Sequence, residues 1–281
     1  MLKLKAFQID IDNFCSVVST PFKWFESTSS AEWSARYVAT SVVYNSTMLV
    51  MGGFNGTDSL NDVWSSTDGV TWIQIIVIAD WPARNTHASV VFDDKIYILG
   101  GQGNSGKIND VWSSSDGGTT WVQVVGTAPW SSRDRPVCVV YNGKIYVMGG
   151  LGVGGTVEVN DVWSSDDGGS NWLEVVGTAD WSARVGMCGI VHGDKIIVMG
   201  GHDGSYLHDV WSSGDGGFTW VEVVSSAPWS GRSAHSCVVH GYTIYIMGGS
   251  DGSSRLNDVW SSSDGGLTWV EDAFSAVWSP R

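Results

Sequence analysis

Short apolar runs alternate along this chain with clusters of Gly, Asp, Asn and Ser. The stretch Ser89-Val90-Val91-Phe92-Asp93-Asp94-Lys95-Ile96-Tyr97-Ile98-Leu99-Gly100-Gly101 reads as two strands of β-branched and aromatic residues around an Asp-Asp turn. Asp110-Val111-Trp112-Ser113 and Trp121-Val122-Gln123-Val124-Val125 make a third and a fourth. No segment carries the 3.6-residue period of an amphipathic helix. The pattern predicts an all-β chain of four-stranded antiparallel units, each about 49 residues long, and a period of that size decides the whole architecture.

The repeat is explicit. Asn109 to Trp121 recurs as Asn61 to Trp72, Asn160 to Trp172, His208 to Trp220 and Asn257 to Trp269. After each closing Trp comes a Trp-x-x-Arg element: Trp81/Arg84, Trp130/Arg133, Trp181/Arg184, Trp229/Arg232 and Trp278/Arg281. All 17 tryptophans fall on this register, so they are assigned to packing within and between repeats. A Gly-Gly pair ending the second strand, an Asn-Asp-Val-Trp third strand, a Trp opening the fourth and an Arg leading onward together resemble kelch repeats. That resemblance implies a β-propeller and spans five full repeats: 37–84, 85–133, 134–184, 185–232 and 233–281. It specifies the fold more than the role, because propellers of this kind serve many unrelated functions.

Residues 1–36 read as a worn copy of the same unit. Trp24 and Trp33 keep the spacing, Arg36 follows, and Asp12-Asn13-Phe14-Cys15-Ser16 stands where Asn-Asp-Val-Trp-Ser is expected. The expectation is one domain over 1–281, a propeller of five complete blades plus a partial sixth from the N-terminus, with a closed five-bladed ring as the alternative. A missing piece of chain or a strand from a partner would account for the incomplete blade.

Charge narrows the partners. Lys+Arg 15 against Asp+Glu 29 gives a formal charge of -14, which repels nucleic acid phosphates and anionic lipid headgroups. Neither nucleic acid nor a membrane is therefore an expected partner. The N-terminal residues lack the apolar core of a signal peptide and no apolar run is long enough to span a bilayer, so the expectation is a soluble, cytoplasmic protein. Cys15, Cys138, Cys188 and Cys237 are too few and scattered for a disulfide framework and read as small buried thiols.

The turn between third and fourth strands resembles the Asp-box, S-x-D-x-G-x-x-W, at Ser114-Asp116-Gly118-Trp121 and its counterparts around Asp167, Asp215 and Asp264, while the copy at Asp68 is one residue short. The Asp-box also occurs in sialidases, but a motif repeated in every blade cannot mark one active site. Asp68, Asp116, Asp167, Asp215 and Asp264 are assigned a structural task, accepting backbone N–H bonds in their turns. Arg36, Arg84, Arg133, Arg184 and Arg232 are expected to bond carbonyls between blades. Galactose oxidase has kelch-like blades with copper held by tyrosines and histidines. Here His87, His192, His202, His208, His235 and His240 include no adjacent Tyr-His pair, so no metal, cofactor or catalytic residue is assigned.

Antiparallel geometry sends the loops after strands two and four to one face and the Asp-boxes to the other. The first face varies most between repeats, and loops on a rigid scaffold are where specificity usually lives. Tyr37, Asn85, Arg135, His202, Tyr206, His235 and Arg255 are the candidate binding residues. The expected function is a non-catalytic protein-binding or assembly scaffold. The alternatives are a glycan-binding module and a glycoside-processing or copper enzyme.

Overall fold

The computed structural model describes residues 24–152 and 157–280. The strand expected at Asp12–Ser16 lies outside the described residues, as does Arg281. The first blade contains β1 (Thr40–Tyr44), β2 (Thr47–Phe54), β3 (Ser59–Ser66) and β4 (Ile73–Ile76). A two-residue strand, β5 (Arg84–Asn85), leads into β6 (Ala88–Phe92), β7 (Lys95–Gly103), β8 (Gly106–Ser114) and β9 (Val122–Val125). The third blade holds β10 (Val137–Tyr141), β11 (Lys144–Leu151), β12 (Glu158–Ser165) and β13 (Leu173–Val176). The fourth holds β14 (Cys188–His192), β15 (Lys195–His202), β16 (Tyr206–Ser213) and β17 (Val221–Val224). The fifth holds β18 (Ser236–His240), β19 (Thr243–Met247), β20 (Val259–Ser262) and β21 (Val270–Ala273).

Each blade is an antiparallel meander in sequence order, so the four-strand pattern read from the repeat is present in every one. β5 was not foreseen. It pairs with both β3 and β7 and joins the first two blades into one nine-stranded sheet. The first strands β1, β6, β10, β14 and β18 neighbour one another in succession and form the inner wall. Second strands are sandwiched between blades, and Ile96, Ile98 and Leu99 are fully buried. Burial on both sides is why these strands read as continuous rather than alternating apolar runs. The fourth strands are outermost, and Ile73, Val122, Leu173, Val221 and Val270 are exposed there.

The Gly-Gly pair is a bulge. Register shifts between Met51 and Gly53, and Gly52 and Gly53 have φ of 57° and 99°. A Cβ on Gly52 would lie 2.9 Å from the Arg84 carbonyl oxygen. Only glycine lets the following link approach so closely.

Successive blades are joined by tryptophan pairs. Trp81 meets Trp121, Trp130 meets Trp172, Trp181 meets Trp220 and Trp229 meets Trp269, edge to face with centroids 6.0, 5.9, 5.8 and 6.0 Å apart. Trp278 continues the series by meeting Trp24 edge-on at 4.8 Å, and Trp33 meets Trp72 at 4.9 Å in a stacked arrangement. Residues 24–36 thus bridge the fifth blade to the first, although they contain no strand. This contact pattern fits the partial blade read from the sequence.

The cysteine reading needs correction. Cys188 on β14 and Cys237 on β18 are disulfide-bonded, with Cα atoms 6.1 Å apart, while Cys138 is free. A pair 49 residues apart in sequence becomes adjacent because one repeat carries the chain to the neighbouring inner strand. Linear spacing does not show that adjacency.

Candidate functional site

The links between blades are held by a bracket built from three repeat residues. Arg84 is fully buried; its Nη1 and Nη2 donate to Asp110 Oδ1 and Oδ2 at 2.6 and 2.9 Å, and Nη1 also donates to the Gly100 carbonyl at 3.0 Å. Trp112 Nε1 donates to the same carboxylate at 2.7 Å. The bracket recurs as Arg36/Asp62/Trp64, Arg133/Asp161/Trp163, Arg184/Asp209/Trp211 and Arg232/Asp258/Trp260. The expected carbonyl bonds are present. The bidentate aspartate was not anticipated, although it is the Asp of the repeated Asn-Asp-Val-Trp element.

The Asp-box carboxylates face their own turns. Asp116 Oδ1 accepts from the N–H groups of Thr119 and Thr120 and from Ser114 Oγ, and Oδ2 accepts from Thr120 Oγ1 at 2.6 Å. Burial pushes this carboxyl's pKa up, but the bonds from Thr120, Ser114 and Thr119 outweigh it and hold the pKa below the usual range. Asp167, Asp215 and Asp264 balance the same way. At Asp68 the backbone bonds from Thr71 and Val70 lead the lowering.

The opposite face carries a collar that sequence reasoning missed. Val38, Thr86, Arg135, Gly186 and Ala234 stand at equivalent places just before the inner strands, with φ of 52°, 51°, 51°, 66° and 53°. Thr86 N donates to Val38 O at 3.0 Å, Arg135 N to Thr86 O at 2.8 Å, and Ala234 N to Gly186 O at 2.7 Å. Left-handed backbone is costly for non-glycine residues, above all for the β-branched Val38 and Thr86. Gly186 at this register was the one sequence signal. Arg135, exposed, is the collar's charged member.

Residues 8–201 match the family described as the KLHDC2/KLHL20/DRC7 Kelch-repeats domain, and residues 231–261 match the Kelch motif. The chain belongs to the kelch-repeat proteins. The search of curated proteins gives no match. Kelch-repeat domains are generally protein-interaction scaffolds and are typically non-enzymatic. Among the described residues no group of three or more His, Cys, Asp or Glu side chains is arranged to hold a metal, and no helix is long and apolar enough to cross a membrane.

The seven candidate residues fall into distinct places on this kelch propeller. Tyr37 is 52% exposed and packs edge-on against Phe54 at 5.4 Å. Asn85 is half-buried and spends its amide on Ser59 Oγ at 2.9 Å. His202 and Tyr206 face each other across the β15–β16 hairpin, edge to face at 4.9 Å. The Tyr206 ring also fills the space over Gly252, where a Cβ would lie 2.9 Å from Cζ. It therefore links the fourth-blade loop to the fifth-blade loop that carries the exposed Arg255.

His235 does not belong with them. It is only 7% exposed, wedged over Gly200 and Gly249 beside Trp229, with its ring nitrogens unpaired among the described residues. Burial, reinforced by the Arg232 charge, lowers its pKa to about 3. His87 occupies the equivalent place and is lowered to about 3 by burial and Arg84. Variation between repeats marks His235 as a loop residue, but there the chain already turns inward beneath the collar.

Concavity and variable loops lie on different faces. An open groove of about 660 Å³ runs between the second and third blades beside the Asp-box turn, lined by Phe92, Asp93, Tyr97 and Asp166 among others.

Proposed function

We propose that this kelch propeller is a non-catalytic docking scaffold whose protein partner sits over the collar face. Its contacts come from Tyr37, Arg135, Tyr206 and Arg255, with His202 and Asn85 supporting them. The observation that carries this reading is the collar: successive blades hold left-handed backbone at the ring's mouth and present Arg135 from a rigid base. Strained backbone of this kind clusters where function requires it. Tyr and Arg are also the residue types that most often dominate interface energy.

The test begins with partners cross-linked to and recovered with the full chain from its native cells. Affinities are then measured for Tyr37→Ala, Arg135→Ala, Tyr206→Ala and Arg255→Ala. At least one should weaken binding by more than about 30-fold, the size of a 2 kcal/mol hot spot. Phe218→Ala and Leu267→Ala, on exposed Asp-box turns, should leave it unchanged. Binding lost only with the second pair would put the partner on the other face.

A further inference from the structure

Two segments of the first blade carry a chemistry that the docking function does not use. Asn45-Ser46-Thr47 and Asn55-Gly56-Thr57 both have the Asn-x-Thr form that accepts N-linked glycans. We propose that Asn45 and Asn55 are N-glycosylated and that this chain matures in an oxidising, glycosylating compartment.

Placement supports the chemistry. Asn45 and Ser46 are the two exposed tip residues of the β1–β2 hairpin, with φ of 47° and 61°. Lys95, Lys144 and Lys195 occupy the position of Thr47 in the next three blades. Thr243 fills it in the fifth, but Gly241 stands two residues before it, so the first blade is where an asparagine and a threonine meet at this turn. Asn55 opens the loop between β2 and β3, and its Oδ1 accepts the N–H groups of Thr57 and Asp58, both at 2.8 Å. Those bonds fix the amide plane, while Nδ2 makes no hydrogen bond among the described residues.

The compartment is supported by a separate observation. The Cys188–Cys237 bond is of a kind that persists in oxidising environments and is rare where thiols are kept reduced. This departs from the cytoplasmic location expected from the sequence. In the reaction, Asn Nδ2 attacks the anomeric carbon of a lipid-pyrophosphate-linked oligosaccharide. A C–N bond forms, the bond from that carbon to the pyrophosphate oxygen breaks, Nδ2 gives up one proton, and the lipid pyrophosphate leaves.

The protein isolated from its native cells and digested without reductant provides the test. Treatment with peptide N-glycosidase in heavy-oxygen water should leave labelled aspartate at positions 45 and 55, and the same digest should contain the linked Cys188–Cys237 peptide. Unmodified asparagine at both positions overturns the proposal. In the full chain routed through a eukaryotic secretory pathway, Thr47→Ala and Thr57→Ala should each remove one glycan, while Thr47→Ser retains it. Glycans that survive both alanine changes also overturn it.

Discussion

Replacing Asp110 with asparagine removes one charge from the buried bracket while keeping its size. The new amide oxygen can still accept from Trp112 Nε1, but its NH2 group points at a guanidinium that has no other anion. Arg84 and Asp110 have side-chain exposures of 0% and 4%, so water cannot compensate. Breaking a buried pair by neutralising one partner costs about 3–5 kcal/mol. An unfolding entropy near 0.6 kcal/mol/K follows from about 2.1 cal/mol/K per residue over 281 residues, so the midpoint should fall by roughly 5–8 °C. Calorimetry of the purified chain measures this. Asp161→Asn should cost less, because Asp161 is 16% exposed and water can solvate part of the vacated charge. Arg84→Met/Asp110→Leu, which removes both charges, should be less destabilised than Asp110→Asn alone. A midpoint unchanged by Asp110→Asn, or a double variant worse than the single, would refute the reasoning.

Cys237→Ser should lower unfolding free energy in denaturant titrations by up to about 4 kcal/mol, the loop-closure entropy for a cross-link spanning 49 residues; a change below about 1 kcal/mol would mean that the bond constrains little. His87 and His235 have pKa values of about 3 in the fold against an ordinary 6.5. Below pH 6.5 the unfolded chain binds protons that the folded chain refuses, so their contribution is complete above that value and is lost as pH falls toward 3. Each adds a slope of up to about 1.4 kcal/mol per pH unit, and a His87→Gln/His235→Gln variant should show a flatter decline between pH 6.5 and 5. Asp116→Ala should lower stability by about 1 kcal/mol, by analogy with the loss of a helix-capping side chain, and leave partner affinity unchanged; lost affinity at unchanged stability would give the Asp-box a binding role.

Features that depend on short windows of chain could be read directly. The Asp-box turn and the alternation of strand and turn are each decided by residues within a few positions of one another, through backbone freedom and local hydrogen bonds, whereas the Gly-Gly pair reads as a strand end and is a bulge inside the strand. Repetition of those windows then implied the propeller. The constant Trp spacing also linked residues 24–36 to the ring. Contacts between repeats were another matter. The partner of Arg84 is Asp110, the partner of Cys188 is Cys237, and the neighbour of Tyr206 is Gly252, and each pair meets only because the blades stand radially around one axis. Exposure followed the same division. His235 and Arg135 both stand just past a link arginine, yet the collar turns Arg135 outward and His235 lies buried beneath it. Sequence determined the blade and its order along the chain, because those rest on local chemistry. Tertiary structure alone decided which residues of neighbouring blades touch and which reach water, because both depend on the radial packing of the ring.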